Sequence, residues 1–238
     1  MFRALSVFLH LVWELICNRS KAKKCAELPI PERWQVSLPI VQKLVKGIMY
    51  HSGARVVYHG LENIPEDQNV FFIANHQSYF DIPILMDVMD RGTGFVAKQS
   101  LGKVPLLRQW MENIGCLFID RDDVKQSVQI IRQASEQMKQ GLNMVIFPEG
   151  TRSRGGATHE FKRGSVKPAF LASVPVVPVC IDGAYKIFEG NKGFRVTPAE
   201  VHVYIGQPIE TQTMTKAEQR EFASKLEEVI FRQKEEVR

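Results

Sequence analysis

Short apolar runs alternate with helix-length segments from residue 54 onward. Seven of these runs have the length of buried strands: residues 55–58, 70–74, 94–97, 116–119, 144–147, 176–181 and 201–205. The clearest helix, at 124–140, has an apolar stripe, Asp122 or Asp123 as a candidate cap, and Gly141 behind it. The last helix begins with a capping box from Thr215 to Glu218. This alternation predicts an α/β fold with a mostly parallel sheet of about seven strands flanked by helices.

The first fifty residues have a different pattern. Residues 5–17 form an apolar run that is short for crossing a bilayer, which takes roughly 20 residues, and clustered lysines follow it. Residues 38–50 form a second amphipathic segment, and proline residues separate the two. Either segment alone is compatible with a helix packed on the core. Two in succession, both flanked by lysines, predict a membrane-docking module at 1–50 ahead of a domain at 51–238.

Composition narrows the choice of partner. The net charge of +5 and the pI of about 9.0 favour anionic partners. The basic residues are not interleaved with aromatic ones as stacking on bases would require, so no nucleic acid is expected. The four cysteines are scattered and the six histidines include no close pair, which predicts neither a disulfide framework nor a metal site. Reduced thiols indicate a cytosolic setting.

The octapeptide at 74–81 places a histidine and an aspartate where a strand turns into a helix. His76 and Asp81 are five residues apart, and reactive side chains collect at such strand ends in open α/β sheets. One interpretation is a general base whose tautomer is held by a carboxylate. The other is that His76 caps a helix and Asp81 is a first-turn acid stabilised by the helix dipole. The octapeptide alone does not separate these two interpretations.

Three later stretches also carry candidate chemistry. Residues 115–121 form a strand that ends at Arg121, a candidate phosphate ligand or simply half of a surface Asp–Arg pair. Residues 147–154 follow a strand with a glycine, a hydroxyl and arginines, which could cradle a phosphate, and Lys162 adds charge. Residues 174–179 are an apolar strand bracketed by prolines, which predicts a strand start or edge. That strand could be core or could suit an acyl chain.

In order and spacing, these four stretches resemble the 1-acyl-sn-glycerol-3-phosphate acyltransferases of the glycerolipid acyltransferase family. The matches are Asn75-His76 to Asp81, Gly115 to Arg121, Phe147 to Ser153, and Val174 to Val179, with Lys98 after the third strand. The resemblance spans about residues 54 to 210. It implies transfer of an acyl chain from an acyl thioester to the sn-2 hydroxyl of 1-acylglycerol-3-phosphate, making phosphatidic acid.

The resemblance also implies roles for individual residues. His76 is the general base and Asp81 orients it. The implied substrate-binding residues are Lys98, Phe118, Arg121, Glu149, Gly150, Thr151 and Arg152, of which Lys98, Arg121 and Arg152 would hold the phosphate. The implied acyl pocket is Val176, Val177 and Pro178. No bound cofactor or metal is expected, and acyl-CoA or acyl carrier protein serves as co-substrate.

Several alternatives remain open at this point. The acceptor could be glycerol-3-phosphate or another lysophospholipid, or the chain could be a non-catalytic module that binds anionic lipid. Backbone amides near His76 or Gly150 are candidate oxyanion donors. Because residues five apart do not share a helix face, the turn between His76 and Asp81 must be irregular for the two to meet. The expected location is the cytoplasmic face of a membrane, without a span.

Overall fold

The computed structural model describes residues 2–89 and 91–236, without the side chains of Lys234 and Glu236. Within these residues, seven strands form one sheet. The strands are β1 Arg55–His59, β2 Phe71–Ala74, β3 Thr93–Lys98, β4 Leu117–Ile119, β5 Asn143–Ile146, β6 Val176–Asp182 and β7 Glu200–Ile205. Their order is β1-β7-β6-β2-β5-β3-β4, and only β6 and β7 pair antiparallel. The predicted, mostly parallel seven-stranded sheet is confirmed. Met1 and the end of the predicted 51–238 domain, residues 237–238, lie outside the described residues.

Helices cover both faces of this sheet. They are α1 Phe2–Cys17, α2 Arg19–Ala26, α3 Glu32–Ser52, α4 Asp81–Asp87, α5 Pro105–Asn113, α6 Val124–Lys139, α7 Lys167–Ala172 and α8 Lys216–Glu236. Side chains of α1 to α5 pack in one apolar cluster with alternate strand residues such as Phe72 and Val145. Side chains of α6, α7 and α8 pack in another, with Phe71 and Met144. Successive strand residues therefore serve opposite layers, as the pleat requires.

The predicted helix caps lie where the sequence indicates. Asp123 caps α6 by accepting the Gln126 N–H at 3.0 Å. At the start of α8, the Glu218 carboxylate accepts the N–H of Thr215, the residue that precedes the helix, at 2.7 Å, as the predicted capping box requires.

Pro178 corrects the expectation that the prolines of this segment mark a strand start or edge. It lies inside β6, which is a central strand between β7 and β2. The Pro178 carbonyl accepts the Gly206 N–H, so the proline nitrogen faces the side where β7 has already ended at Ile205. The missing N–H therefore falls beyond the last paired residue of β7, where it removes no bond between the two strands as they are bounded here.

The first fifty residues share their core with the rest of the chain. Leu15 of α1 and Leu38, Val41 and Val45 of α3 are buried in the cluster that contains α4 and the strands. The Asn113 side chain of α5 donates to the Ala22 carbonyl of α2 at 2.8 Å. A docking role for residues 1–50 therefore has to come from the outer surfaces of these helices, and it stays a prediction.

None of the helices within residues 2–89 and 91–236 combines the length and the apolar character needed to cross a membrane.

The strand order brings the candidate residues together. Four adjacent parallel strands, β2, β5, β3 and β4, are followed at their carboxyl ends by His76, Gly150, Lys98 and Arg121 respectively. Carboxyl ends of parallel strands meet at one edge of a sheet, where open α/β folds bind their ligands. The candidate site lies at this edge.

Candidate active site

His76 and Asp81 form a close pair at the end of β2. The imidazole Nδ1 lies 2.7 Å from Asp81 Oδ2, and the carboxylate is completely buried. The intervening residues leave regular structure and α4 begins at Asp81, so the turn is irregular, as the spacing requires. The imidazole stacks on the Phe147 ring, with centroids 4.1 Å apart. Nε2 makes no hydrogen bond to any residue that the structure describes, so it is the nitrogen left for a substrate.

Side-chain oxygens occupy every backbone amide from residue 76 to residue 80. Asp81 Oδ2 accepts the N–H groups of Gln77 and Ser78 at 2.7 and 2.8 Å. The other three donors are His76 to Glu149 at 2.7 Å, Tyr79 to Glu189 at 2.9 Å and Phe80 to Ser78 Oγ at 3.0 Å. The Gly150 N–H donates to the Phe147 carbonyl at 3.1 Å. Each of these six amides already has an acceptor in the structure, so they are not free oxyanion donors, and the expectation of donors near His76 or Gly150 stays a prediction.

Two buried carboxylates hold this turn. Burial raises the pKa of Asp81, and the hydrogen bonds from His76, Ser78 and Gln77 oppose that shift. Burial likewise raises the pKa of Glu149, which accepts the N–H of His76 and, at 3.1 Å, that of His159. A carboxylate with a raised pKa is a stronger acceptor, so Asp81 favours a proton on Nδ1 and leaves Nε2 as the base.

A polar opening lies beside the turn, at the ends of β3 and β4. It has a volume of about 600 Å³, and its cationic lining residues are Lys98, Lys103, Arg121 and Lys162. Burial lowers the pKa of the half-buried Arg121, which makes no ion pair with any described residue. Gly150 has a φ of +75°, and a Cβ there would come within 3.1 Å of Lys162 Nζ, so the missing side chain leaves room for this ammonium group. This cation cluster suits an anion such as a phosphate monoester.

Arg152 is held elsewhere, by a carboxylate that follows β6. Its Nη1 donates to Glu189 at 2.8 Å, and its guanidinium carbon lies 3.5 Å from the centroid of the Tyr79 ring. Glu189 also accepts the Ser78 hydroxyl at 2.6 Å. Arg152 is therefore fixed against the residues between His76 and Asp81.

An apolar cavity of about 340 Å³ opens on the other side of the turn. That volume is more than twice the roughly 150 Å³ of a cavity that takes up benzene. Most of its lining residues come from four helices and the turn, and they include Leu11, Val41, Val45, Tyr79, Phe80 and Trp110. Cys116 is part of the wall, and burial raises the pKa of its thiol to about 12, which leaves it unreactive at neutral pH.

Comparison with known proteins agrees with this geometry. Residues 55–182 match the family model described as Acyltransferase. A probable 1-acyl-sn-glycerol-3-phosphate acyltransferase of Mycoplasma pneumoniae is 32% identical over 191 residues, which cover 79% of this chain and 71% of that protein. The chain belongs to the acyltransferase family.

Two further relatives extend the match of this family member beyond the central residues. The 1-acyl-sn-glycerol-3-phosphate acyltransferase of Borreliella burgdorferi is 26% identical over 204 residues, 86% of this chain and 81% of that protein. The crystal structure of the 1-acyl-sn-glycerophosphate (LPA) acyltransferase, PlsC, from Thermotoga maritima has a TM-score of 0.82 at 28% identity. That similarity covers 99% of this chain and 94% of the other, so it includes the N-terminal helices.

The acyltransferase residues implied to hold the phosphate do not form one group. Lys98 and Arg121 share the polar opening, whereas Arg152 pairs with Glu189. Glu149 holds the His76 amide, and Thr151 lies exposed.

The residues of the implied acyl pocket do not line the apolar cavity of the acyltransferase. Val176, Val177 and Pro178 are buried in β6, and none of them lines the apolar cavity. Val176 and Val177 face opposite layers because they are neighbours on one strand. Phe118 also lies away from both openings, and its ring packs over Gly102.

Sequence reasoning missed three parts of this site. Glu189 follows the last recognisable motif and looks like a surface acid. Lys103 lies in a short 3-10 helix, Gln99–Lys103, with no pattern to mark it. The cavity wall from α1 and α3 could have been suspected, since Val41 and Val45 recur at helical spacing and Leu11 lies in the apolar run at 5–17.

Proposed function

We propose that this acyltransferase moves an acyl chain from an acyl thioester to the sn-2 hydroxyl of 1-acylglycerol-3-phosphate, producing phosphatidic acid. The observation that carries the proposal is the 2.7 Å contact between His76 Nδ1 and Asp81 Oδ2, with Nε2 left for a substrate proton. The names of the relatives from Mycoplasma pneumoniae and Borreliella burgdorferi support the same acceptor. The donor is acyl-CoA or acyl carrier protein.

Proton transfer through His76 connects the two halves of the reaction. Nε2 takes the proton of the acceptor hydroxyl as its oxygen attacks the thioester carbonyl. Asp81 stabilises the imidazolium through the Nδ1 proton. The tetrahedral intermediate collapses with cleavage of the C–S bond, and the imidazolium returns the proton to the departing thiolate. The substrate hydroxyl is itself the nucleophile, so no acyl-enzyme forms.

The cation cluster would bind the phosphate of the acceptor. Lys98, Arg121 and Lys162 converge on the opening between β4 and Gly150. Arg121 offers a planar set of donors that matches phosphate oxygens. It makes no ion pair with a described carboxylate, although Asp120 and Asp122 also line this opening. A phosphate bound here would place the glycerol hydroxyl between this opening and the His76 turn.

The apolar cavity provides for the acyl chain. Tyr79 and Phe80 line it and precede Asp81 directly, so the cavity begins beside the catalytic pair. Its walls are apolar side chains, which favours a hydrocarbon chain over a polar group.

The outer face of α1 supports association with an anionic membrane surface at its cytoplasmic side. Phe2 is 87% exposed and Trp13 is 67% exposed, and Phe8 and Leu9 are also exposed on this helix. The lysines of α2 lie exposed beside it. Apolar side chains next to basic ones suit an interfacial helix that lies on the bilayer.

Thiol release in the presence of lysophosphatidic acid tests the function. We expect release from acyl-CoA or acyl carrier protein to depend on this acceptor and to be much weaker with monoacylglycerol, which lacks the phosphate. His76→Ala should lower kcat by roughly 10²- to 10⁴-fold because it removes the general base. Binding of lysophosphatidic acid to the variant should persist.

A matched control is His159→Ala, since His159 is exposed and its hydrogen bond to the site comes from its backbone N–H, which the substitution keeps. Equal thiol release by wild type and His76→Ala would contradict the mechanism. Release that is equally fast with glycerol-3-phosphate or with a lysophospholipid bearing a headgroup would change the acceptor.

A further inference from the structure

Glu189 connects parts of the site that lie far apart in sequence. It follows the short 3-10 helix Ala184–Ile187, beyond residues 55–182 that match the acyltransferase family. Its side chain is only 6% exposed, although glutamate is seldom this buried without partners. Burying a carboxylate costs free energy unless it is hydrogen-bonded, and the hydrogen bonds of Glu189 offset this cost.

Both carboxylate oxygens of Glu189 are engaged by the site. Oε2 accepts the Ser78 hydroxyl at 2.6 Å, while Oε1 accepts the Tyr79 N–H at 2.9 Å and Arg152 Nη1 at 2.8 Å. Ser78 and Tyr79 lie between His76 and Asp81. Asp81 therefore ties the beginning of this turn and Glu189 ties its second half.

The same carboxylate orients Arg152. One nitrogen of the guanidinium is bound to Glu189 and its plane lies against the Tyr79 ring, which limits the rotation of a long side chain. The ion pair is mostly buried, with 16% of the Arg152 side chain exposed. Its other guanidinium nitrogens make no hydrogen bond within the described residues and stay oriented for a substrate oxygen.

We propose that Glu189 is a positioning residue for acyl transfer, which sets the His76 turn and the Arg152 guanidinium with one carboxylate. This inference rests on the proposed function. A shift of the turn moves the general base, and a shift of Arg152 moves the guanidinium nitrogens that are left for the acceptor. Both kcat and the KM for the acceptor therefore depend on Glu189, although Glu189 itself contacts no substrate.

Steady-state kinetics of the full chain with lysophosphatidic acid test this role. We expect Glu189→Ala to lower kcat and raise the acceptor KM together, with kcat/KM falling on the order of 10- to 100-fold. Glu200→Ala is the matched control, because Glu200 pairs with Arg55 at the surface, 3.4 Å away, and lies outside the site. A Glu189→Ala enzyme within about twofold of this control, or one changed in KM alone, would overturn the proposal.

Two conservative variants separate geometry from charge. Glu189→Gln keeps the length, so its oxygen can accept from Tyr79 and Arg152 and its amide can donate to Ser78 Oγ. Glu189→Asp keeps the charge but falls short by one methylene. If Glu189 acts by positioning, Glu189→Gln keeps most of the kcat that Glu189→Ala loses, and Glu189→Asp does not. A higher kcat for Glu189→Asp than for Glu189→Gln would refute the proposal. These variants also serve if Glu189→Ala does not fold.

Amide hydrogen exchange distinguishes this inference from the proposed function. Glu189→Ala removes the acceptor of the Tyr79 N–H, so exchange of this amide should accelerate about tenfold or more, and it should stay unchanged in Glu200→Ala, whatever substrate the enzyme uses. If wild type releases no thiol with lysophosphatidic acid, the proposed function fails while exchange still reports on Glu189. Unchanged exchange of the Tyr79 amide would show that Glu189 does not hold the turn.

Discussion

At the scale of single residues, the His76 turn is held by acceptors rather than by regular secondary structure. Five successive amides donate to side-chain oxygens of Glu149, Asp81, Glu189 and Ser78. Each bond fixes one peptide unit, so the imidazole is oriented before a substrate arrives. Pre-organisation of this kind lowers the cost of reaching the reactive geometry.

Glu149 makes this arrangement sensitive to pH. Burial raises its pKa above the ordinary value of 4.5, so the folded state keeps the Glu149 proton to a higher pH than the unfolded state. Between these two pKa values the folded state binds more protons, and the contribution of Glu149 to stability falls as pH rises. We therefore expect the free energy of unfolding of wild type minus that of Glu149→Gln to fall as pH rises from 4.5 into this window.

Thermal unfolding of both proteins across this pH range measures the difference. Glu160→Gln is the control, because Glu160 is an exposed glutamate on the same loop. A difference that stays constant or grows with pH would contradict the assignment of a raised pKa to Glu149.

Residues with local signals could be predicted, whereas partners recruited from distant segments could not. His76 and Asp81 lie on one turn, and Asp123 precedes its own helix, so short spacings indicate their roles. Glu189 reaches Ser78 across 111 positions of the chain. No periodicity encodes such a contact, which is why Arg152 was grouped with Lys98 and Arg121 although its partner lies elsewhere.

At the scale of elements, the helices that precede the sheet build the apolar cavity. Leu11 of α1 and Val41 of α3 face Trp110 of α5 and Met86 of α4 across it. Sequence patterns predict the segments that form α1 and α3, but they do not show which elements the inner faces of these helices meet. The space arises where α1, α3, α4 and α5 pack around residues of the sheet and its loops, such as Phe95 and Cys116.

Filling this cavity should change the preferred acyl chain. Cys116→Met adds side-chain volume to the wall, so we expect the ratio of kcat/KM for long over short acyl thioesters to fall severalfold. Thiol release across a series of chain lengths measures that ratio. Cys17→Met is the same substitution at an exposed position of α1 and should leave it unchanged.

An equal loss of rate at every chain length would mean that the acyl chain does not enter the cavity. Loss at long chains alone supports its occupancy by hydrocarbon.

At the scale of the whole molecule, the layer that contains α1 and α3 contributes buried side chains to the core and also carries a candidate membrane surface. The inner faces of α1 and α3 belong to the core, and the outer face of α1 carries exposed aromatic side chains. Deleting residues 1–50 would remove core packing together with any docking surface. Surface substitutions are the cleaner test.

We expect the double variant Phe8→Ser/Trp13→Ser to bind anionic vesicles at least about tenfold more weakly, since it loses exposed apolar area that would enter the interface. Vesicle sedimentation measures this binding. Val124→Ser is the control, because Val124 is 76% exposed on α6, which packs on the opposite layer of the sheet. Equal sedimentation of all three proteins would place the docking surface elsewhere.

The sheet itself was predictable in its strands but not in their order. Each apolar run marks a strand, and the alternation with helices indicates parallel pairing. Nothing local shows that β6 returns to lie between β7 and β2. That placement brings Ile181 within reach of Asn75, whose side-chain amide donates to its carbonyl at 2.9 Å and accepts its N–H at 2.7 Å.

This return of β6 to β2 also governs when the enzyme can become active during its synthesis. His76 is synthesised early, whereas the residues that bind the segment around it are synthesised much later. Glu149 comes first, then Ile181, which bonds Asn75, and then Glu189. Domains generally fold as units once enough chain has emerged. A nascent chain that stops short of Glu189 carries His76 without the carboxylate that ties its turn, so we expect the full rate of acyl transfer only after translation has passed this residue.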